Sequence, residues 1–313
     1  MDMAKNQHWV PRFYLKYFSI PETRDAENPK VWVFSRDADD PISVGIRNIA
    51  SKRYLYSPVG LDGTRTWGTE AKLQKLEGLL SRIWPALAND FVDFEGNLAL
   101  KRIVALFIST LNLRHPENVK ETEWVHKSLV KFYEGFPKDQ SGKPLIESIE
   151  YRDNIYEMDC SDYDSFRDAD KEAIKTMFVD NIHWLSVSIA ELLLEKRWSV
   201  VFSDSPVFIT CDRPVAVIHP DKKVFGIRTK GTTILFPLSP TRVLLLDDML
   251  DQPKGQYYPL NKTGAASWNF IVWRNASTFM ISHRDIHEVL KEIVDLADAS
   301  SGSSIEGQWY PNQ

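Results

Sequence analysis

A chain of 313 residues and 36.1 kDa is long enough for one large domain or two ordinary ones. Its 43% of apolar and aromatic residues excludes global disorder, and a net charge of -5 with pI near 5.9 carries no bulk signature of a nucleic-acid binder, while leaving room for a local basic site. Rings make up 12%, with ten Trp, and 17 Pro stand against 14 Gly, which disfavours a fold built around glycine-rich phosphate loops.

Pro11 suits the first turn of a helix. Val10, Phe13, Tyr14, Tyr17 and Phe18 then follow at i, i+3, i+4, i+7 and i+8, an apolar helical stripe. Residues 30–36 (KVWVFSR) alternate as a strand does, 42–53 reads as a mixed link, and 53–57 as another short strand. A helix is expected over 67–90 from Leu73, Leu76, Leu80, Ile83 and Leu87, with Pro85 kinking or breaking it near Trp84. The next, 97–113, turns Leu100, Ile103, Val104, Phe107 and Leu111 inward and stops before Pro116. Another covers 117–133.

From 135 to about 170 the texture changes. GFPKDQSGKP is turn-rich, and 157–172 holds seven acids against Arg167 and Lys171. The D-C-S-D-Y-D-S order lacks the Gly and closing Glu of a calcium loop, so a solvated, mobile connection is expected. A long helix follows at 171–197. Residues 198–202, 207–211, 215–219, 232–236 and 242–246 are short and apolar, separated by S-D-S-P, D-R-P, P-D-K-K and P-L-S-P, the pattern of an antiparallel sheet. A helix at 261–275, a strand at 278–282 and a helix at 284–297 complete the reading, and 299–313 is a poorly ordered tail.

Helices first and strands later give an α+β fold. A helical layer, from the first half and the 171–197 helix, packs on a mostly antiparallel sheet from 198–282. The chain 1–313 is read as a single domain: mainly helical over 1–136, a polar acidic connection at 137–170, helix plus sheet over 171–298, then the tail. The opening MDMAKNQHWVPRFYL lacks the apolar segment of a signal peptide. No apolar run approaches the ~18 residues of a spanning helix. Cys160 and Cys211 are far apart, and no CxxC occurs. A soluble, cytoplasmic protein without a membrane partner is expected.

Three places could carry chemistry. Arg114 lies seven residues after Phe107 and three after Leu111, so it prolongs an apolar face and needs a partner. Glu70 and Glu77, at the edge of the preceding helix's stripe, can supply one. That pair either pins two helices or clamps an anion. His8 and Arg12, four apart, place a titratable group beside a permanent cation, or else His8 caps and packs the helix. Asp212, in Thr210-Cys211-Asp212-Arg213-Pro214 at a strand end, is a base, a metal ligand or a turn residue. Cys211 has no His or Asn to activate it and reads as a small hydrophobe. His283 and His287, one helical turn apart without a third ligand, read as solvated, and Asp221-Lys222-Lys223 as a hairpin turn rather than a nuclease motif. No GxxxxGK[ST], GxGxxG, HExxH or GxSxG is present.

The stretch Gln7-His8-Trp9-Val10-Pro11-Arg12-Phe13-Tyr14-Leu15-Lys16-Tyr17-Phe18-Ser19 resembles the QHYVPxxYLxxFS opening of the bacterial domain-of-unknown-function 4238 family. In order, residues 49–56, the Glu70/Glu77 helix, Asn112-Leu113-Arg114-His115-Pro116, Phe208-Ile209-Thr210-Cys211-Asp212-Arg213-Pro214-Val215 and Phe236-Pro237-Leu238-Ser239-Pro240 are similar to further family segments, over roughly 5–285. Cys211 stands where the family usually has Ser, and Arg213 where Asn is frequent. The resemblance implies a bacterial, soluble protein with polar positions drawn from distant parts of the chain: His8, Arg12, Glu70, Glu77, Arg114 and Asp212.

Two functions follow as expectations. One is a hydrolase or phosphodiesterase with His8 as acid/base, Arg12 and Arg114 stabilising an anion, and Glu70, Glu77 and Asp212 as carboxylates with room for a divalent metal. The other is a non-catalytic binding or regulatory protein, a partner in a bacterial conflict or mobile-element system, in which the same residues form a structural network. Substrate, partner and oligomeric state are not legible.

Overall fold

The computed structural model describes residues 5–151, 154–261 and 264–300. The first half contains β1 (Asn6–His8), α1 (Arg12–Leu15), β2 (Lys30–Ser35), β3 (Ile42–Gly45), β4 (Ser51–Arg53), α2 (Gly68–Asn89), α3 (Leu98–Leu113) and α4 (Glu117–Glu134). The second contains β5 (Ser148–Tyr151), β6 (Asn154–Glu157), α5 (Tyr163–Arg167), α6 (Lys171–Glu195), β7 (Arg197–Phe202), β8 (Thr210–Cys211), β9 (Ala216–Ile218), β10 (Thr233–Ser239), β11 (Arg242–Asp247), β12 (Gln256–Pro259), α7 (Ala265–Asn275), β13 (Phe279–Ser282) and α8 (Ile286–Ser300). The fold class is α+β, as expected.

The long helices arise where apolar spacing and caps agree. Asn97 accepts from the Leu100 N–H at 3.0 Å to start α3, and Asp170 accepts from the Ala173 N–H at 2.8 Å to start α6. Leu73, Leu80, Trp84 and Leu87 form the buried face of α2. Pro85 does not break that helix. It lies on the exposed face, as does Ser81, whose carbonyl loses its partner, so water takes up the cost. α6 packs along α3 and also touches α4 and α2. By length and composition α6 could cross a membrane, with a mean hydropathy of 1.3 over its most apolar 18 residues. The sequence reading missed this because Asp180, Asn181, His183, Ser186, Ser188 and Glu191 interrupt the apolar run. In this fold α6 turns Ile174, Phe178, Ile182, Ser186, Ala190 and Leu193 inward.

The strands form two principal sheets where one was expected. The five-stranded sheet runs β12-β7-β11-β10-β9, antiparallel except for the parallel β12–β7 pair. The four-stranded sheet runs β3-β2-β13-β8 and recruits β2 and β3 through β2–β13 pairing, Trp32 opposite Ser282, while β1 and β4 pair with each other. The expected strand at 207–211 shrinks to Thr210–Cys211 because its neighbours bond elsewhere. The Val207 and Phe208 N–H groups reach the Pro240 carbonyl, and the Ile209 N–H reaches the Asn269 side chain. The strand expected at 53–57 lies instead at Ser51–Arg53, after which Tyr54 turns the chain with φ 53°. The acidic connection contains the β5–β6 hairpin and α5. Of the expected tail, residues 299 and 300 extend α8, and 301–313 lie outside the described residues.

The largest core joins distant sequence. Val10, Tyr14, Leu15 and Phe18 lie among Trp84, Phe107, Leu193, Phe236 and Ile281. Tyr14 stacks on Phe236 at 5.5 Å, and Trp84 meets Phe107 edge-on at 5.3 Å. Such pairs add about 0.5–1.5 kcal/mol each beyond area burial. A further cluster lies between α7, α8 and the sheets, including Phe208, Ile209, Cys211, Val272, Met280 and Val289.

Candidate functional site

β1 pairs antiparallel with β4, setting His8 opposite Ser51 and Gln7 opposite Lys52. Gln7 is buried. Its amide donates to the Ser57 hydroxyl at 2.8 Å and accepts from the Tyr56 N–H at 2.7 Å. That fixes the chain leading into Trp9, whose polar groups face two ways. The Trp9 carbonyl accepts from Arg114 Nε at 2.7 Å, and the Trp9 indole N–H donates to the Asp212 carbonyl at 3.2 Å.

Arg114 caps α3 and is 1% exposed. Its Nη1 pairs with Glu77 at 2.7 Å, the interhelical carboxylate–guanidinium contact that its position on an apolar stripe requires. Its carbonyl accepts from the Tyr56 hydroxyl at 2.8 Å, and its buried Nη2 has no protein partner. Glu70, also buried, accepts from Gln74 at 2.9 Å and makes no direct bond with Arg114. Burial raises its pKa, with the charge of Glu77 adding and Gln74 and Arg114 opposing.

Asp212 is 1% exposed and its carboxylate is engaged on both oxygens. Oδ1 accepts from the Ser277 N–H at 2.9 Å and Oδ2 from the Thr278 N–H at 2.8 Å, where the chain enters β13. His115 Nε2 stands 3.7 Å from Oδ2. His115 Nδ1 accepts from the Glu117 N–H at 3.2 Å, which turns Nε2 toward that carboxylate, where it is buried and makes no hydrogen bond. The Cys211 thiol donates to the Arg213 carbonyl, and burial pushes its pKa well up, which disfavours a thiolate nucleophile. One residue back, Thr210 meets the Tyr14 hydroxyl at 2.7 Å, and that hydroxyl also bonds the Pro237 carbonyl at 2.8 Å.

His8 is half-buried and Arg12 is exposed at the start of α1. The His8 pKa falls to about 4, first through burial, then through the charge of Arg12 and more weakly that of Arg114. Backbone groups of Ile46 and Arg47 oppose the shift. The imidazole is therefore neutral at pH 7, and its buried Nε2 has no protein partner.

The structure thus joins Glu77, Arg114 and Asp212 through Trp9, holds Glu70 and His8 within electrostatic reach of Arg114, places Arg12 beside His8 alone, and buries Glu70, Arg114 and Asp212. His115, Trp9, Gln7 and Tyr56 belong to the network and were not singled out. His115 was findable, lying between Arg114 and Pro116; Trp9 was not, because its links run through backbone carbonyls. Among the described residues no group of three or more His, Cys, Asp or Glu could hold a metal ion. Glu70, Glu77 and Asp212, each already engaged, do not fit the divalent site sketched from sequence. His283 is buried rather than solvated, bonded to the Pro206 carbonyl at 3.1 Å, while His287 is exposed beside Asp285. Both cysteines are free. Beside Asp212, an open hollow of about 340 Å³ is lined by Glu117, Lys120, Glu121, Trp124, Arg213 and Ser277.

The family model described as Protein of unknown function (DUF4238) matches residues 6–285. The chain belongs to the DUF4238 family. No curated protein and no solved structure matches it. In this DUF4238 chain the matched span takes in every element that contributes to the network, from β1 to β13.

Proposed function

We propose that this DUF4238 chain is a non-catalytic binding or regulatory protein, and that its motif residues form a structural keystone. The reading also takes 1–313 as one domain of a bacterial cytoplasmic protein, which suits its two free cysteines. The observation that carries it is the state of Asp212. A general base or metal ligand needs a free lone pair facing a substrate. This carboxylate is closed off from solvent, and each of its oxygens is turned to a backbone N–H that fixes the approach to β13, so neither faces a substrate. Glu77 is likewise engaged by Arg114, and Arg114 by the Trp9 carbonyl.

The hydrolase or phosphodiesterase reading draws its support from three buried, unpartnered atoms: Nε2 of the neutral His8 imidazole, near two cations, Nη2 of Arg114 and Nε2 of His115. One experiment separates the two. The purified chain is assayed on bis(p-nitrophenyl) phosphate and p-nitrophenyl esters, with and without Mg²⁺ or Mn²⁺, beside His8→Ala. The expected result is no turnover above buffer in either protein. Turnover in the wild type that His8→Ala abolishes at an unchanged melting temperature would overturn the proposal.

A further inference from the structure

The net charge of -5 conceals a local excess of the opposite sign. Its hub is Tyr54, which follows β4 with φ 53° and is held there by its N–H bonding the Lys5 carbonyl at 2.8 Å. The Arg65 guanidinium lies 3.9 Å from the Tyr54 ring centroid and that of Arg53 lies 5.1 Å away. Trp67 meets the same ring edge-on at 6.1 Å. Lys52 and Arg53, consecutive on β4, are exposed. Arg65 is folded back by the Val59–Arg65 bridge and uses Nη1 on the Ser57 carbonyl at 2.8 Å. Lys175, near the start of α6, adds another cation from beneath, its side chain only 19% exposed.

Two groups register the crowding. The Lys175 pKa is lowered, by burial first, with Glu172 opposing and the charges of Arg65 and Lys52 adding to the fall. The Tyr54 hydroxyl pKa is lowered by a hydrogen bond from Arg53 and by the charges of Lys5, Arg53 and Arg65. Among the described residues, Lys175 alone of these cations has a carboxylate within ion-pair distance. Glu172 accepts from the Val59 N–H at 2.8 Å and stands 3.9 Å from Lys175. Asp62 is taken up by Thr64, and Asp170 caps α6. Among the described residues Lys5, Lys52, Arg53 and Arg65 make no ion pair, and like charges gathered so are costly until an anion neutralises them.

We propose that Lys5, Lys52, Arg53, Arg65 and Lys175, arranged around Tyr54 and Trp67, bind the phosphodiester backbone of a single-stranded nucleic acid. Cations interleaved with aromatic rings and stacked guanidinium planes are the elements of single-strand recognition, in which bases stack while the backbone is neutralised. The patch is made by a short strand, the Val59–Arg65 turn and the side of α6, and among the described residues its exposed cations Lys5, Lys52 and Arg53 lie on no helix that could enter a duplex groove. It goes beyond the binding-protein reading and stands on other residues.

The test is fluorescence anisotropy with a fluorescein-labelled twelve-nucleotide oligo(dT) and a duplex of equal length, at 50 mM salt. Lys52→Ala/Arg53→Ala is compared with Lys222→Ala/Lys223→Ala, the same charge loss in the exposed loop after β9. The strand is expected to bind more tightly than the duplex. Lys52→Ala/Arg53→Ala should weaken it at least ten-fold and flatten the dependence of log K on log salt by about 1.4, two contacts at ~0.7 each. The loop variant should match wild type. Should the strand variant lose melting temperature, Lys5→Ala replaces it, with a weakening of about three-fold expected. Failure of the strand to bind, equal binding by the β4 variant, or binding only to anionic phospholipid vesicles would overturn the proposal. None of these outcomes bears on turnover by His8.

Discussion

Asp212 shows how burial redirects a carboxylate. In a loop open to water it would be a base; enclosed against two N–H groups it becomes a brace between the Thr210-Cys211-Asp212 segment and the start of β13. Asp212→Asn keeps the size but sets an amide N–H against a backbone donor. A loss of about 1–3 kcal/mol is expected, read as a lower urea midpoint at unchanged slope. His8 and His283 both have pKa values of about 4 in the fold, against 6.5 unfolded. Between pH 6.5 and 4 the unfolded chain therefore binds more protons at these rings, and stability falls as pH falls through that window. The raised pKa of Glu70 acts in the opposite sense. Urea midpoints at pH 7 and pH 5 should differ in wild type and differ less in His8→Gln. Arg114 was legible because a cation on an apolar stripe must be paired. That Glu77 rather than Glu70 pairs with it was not, since the two are a heptad apart and only the packed helices decide between them.

Among the elements, α1 is short but central. Its Tyr14 hydroxyl bonds Thr210 and the Pro237 carbonyl in the core. Tyr14→Phe leaves those groups without that partner, and a loss of about 1–3 kcal/mol is expected by chemical denaturation. Pro85 makes the opposite case. It sits on the exposed face of an unbroken α2, so Pro85→Ala restores an N–H to the Ser81 carbonyl and should raise stability by about 1–3 kcal/mol in a melting or urea experiment. The long helices were readable because apolar spacing, caps and flanking Pro agree. The strands at 53–57 and 207–211 misled because their apolar content reports burial, while their N–H groups bond Lys5, Gln7, Asn269 and Pro240 instead of a ladder.

For the whole molecule, the keystone ties residues 7–14 to β13, the last strand among the described residues. β1 and α1 reach β8 and β13 through Trp9, Tyr14 and Asp212, and the main core mixes residues 10–18 with 190–281. The second sheet escaped the sequence reading because β2 pairs with β13 across more than two hundred residues, a partnership without local signal. Arg114 and Asp212 do not touch; both bind Trp9, one through its carbonyl and one through its indole. If the motif residues act as one structural unit, their contributions to stability are coupled. The direct measurement is a double-mutant cycle on urea unfolding with Arg114→Lys, which disturbs the bond to the Trp9 carbonyl, Trp9→Phe, which removes the indole N–H that holds the Asp212 backbone carbonyl, and the pair. Each single change should destabilise the chain, and the pair should cost less than the two together by at least about 0.5 kcal/mol. Losses that add, or single variants as stable as wild type, would contradict the keystone.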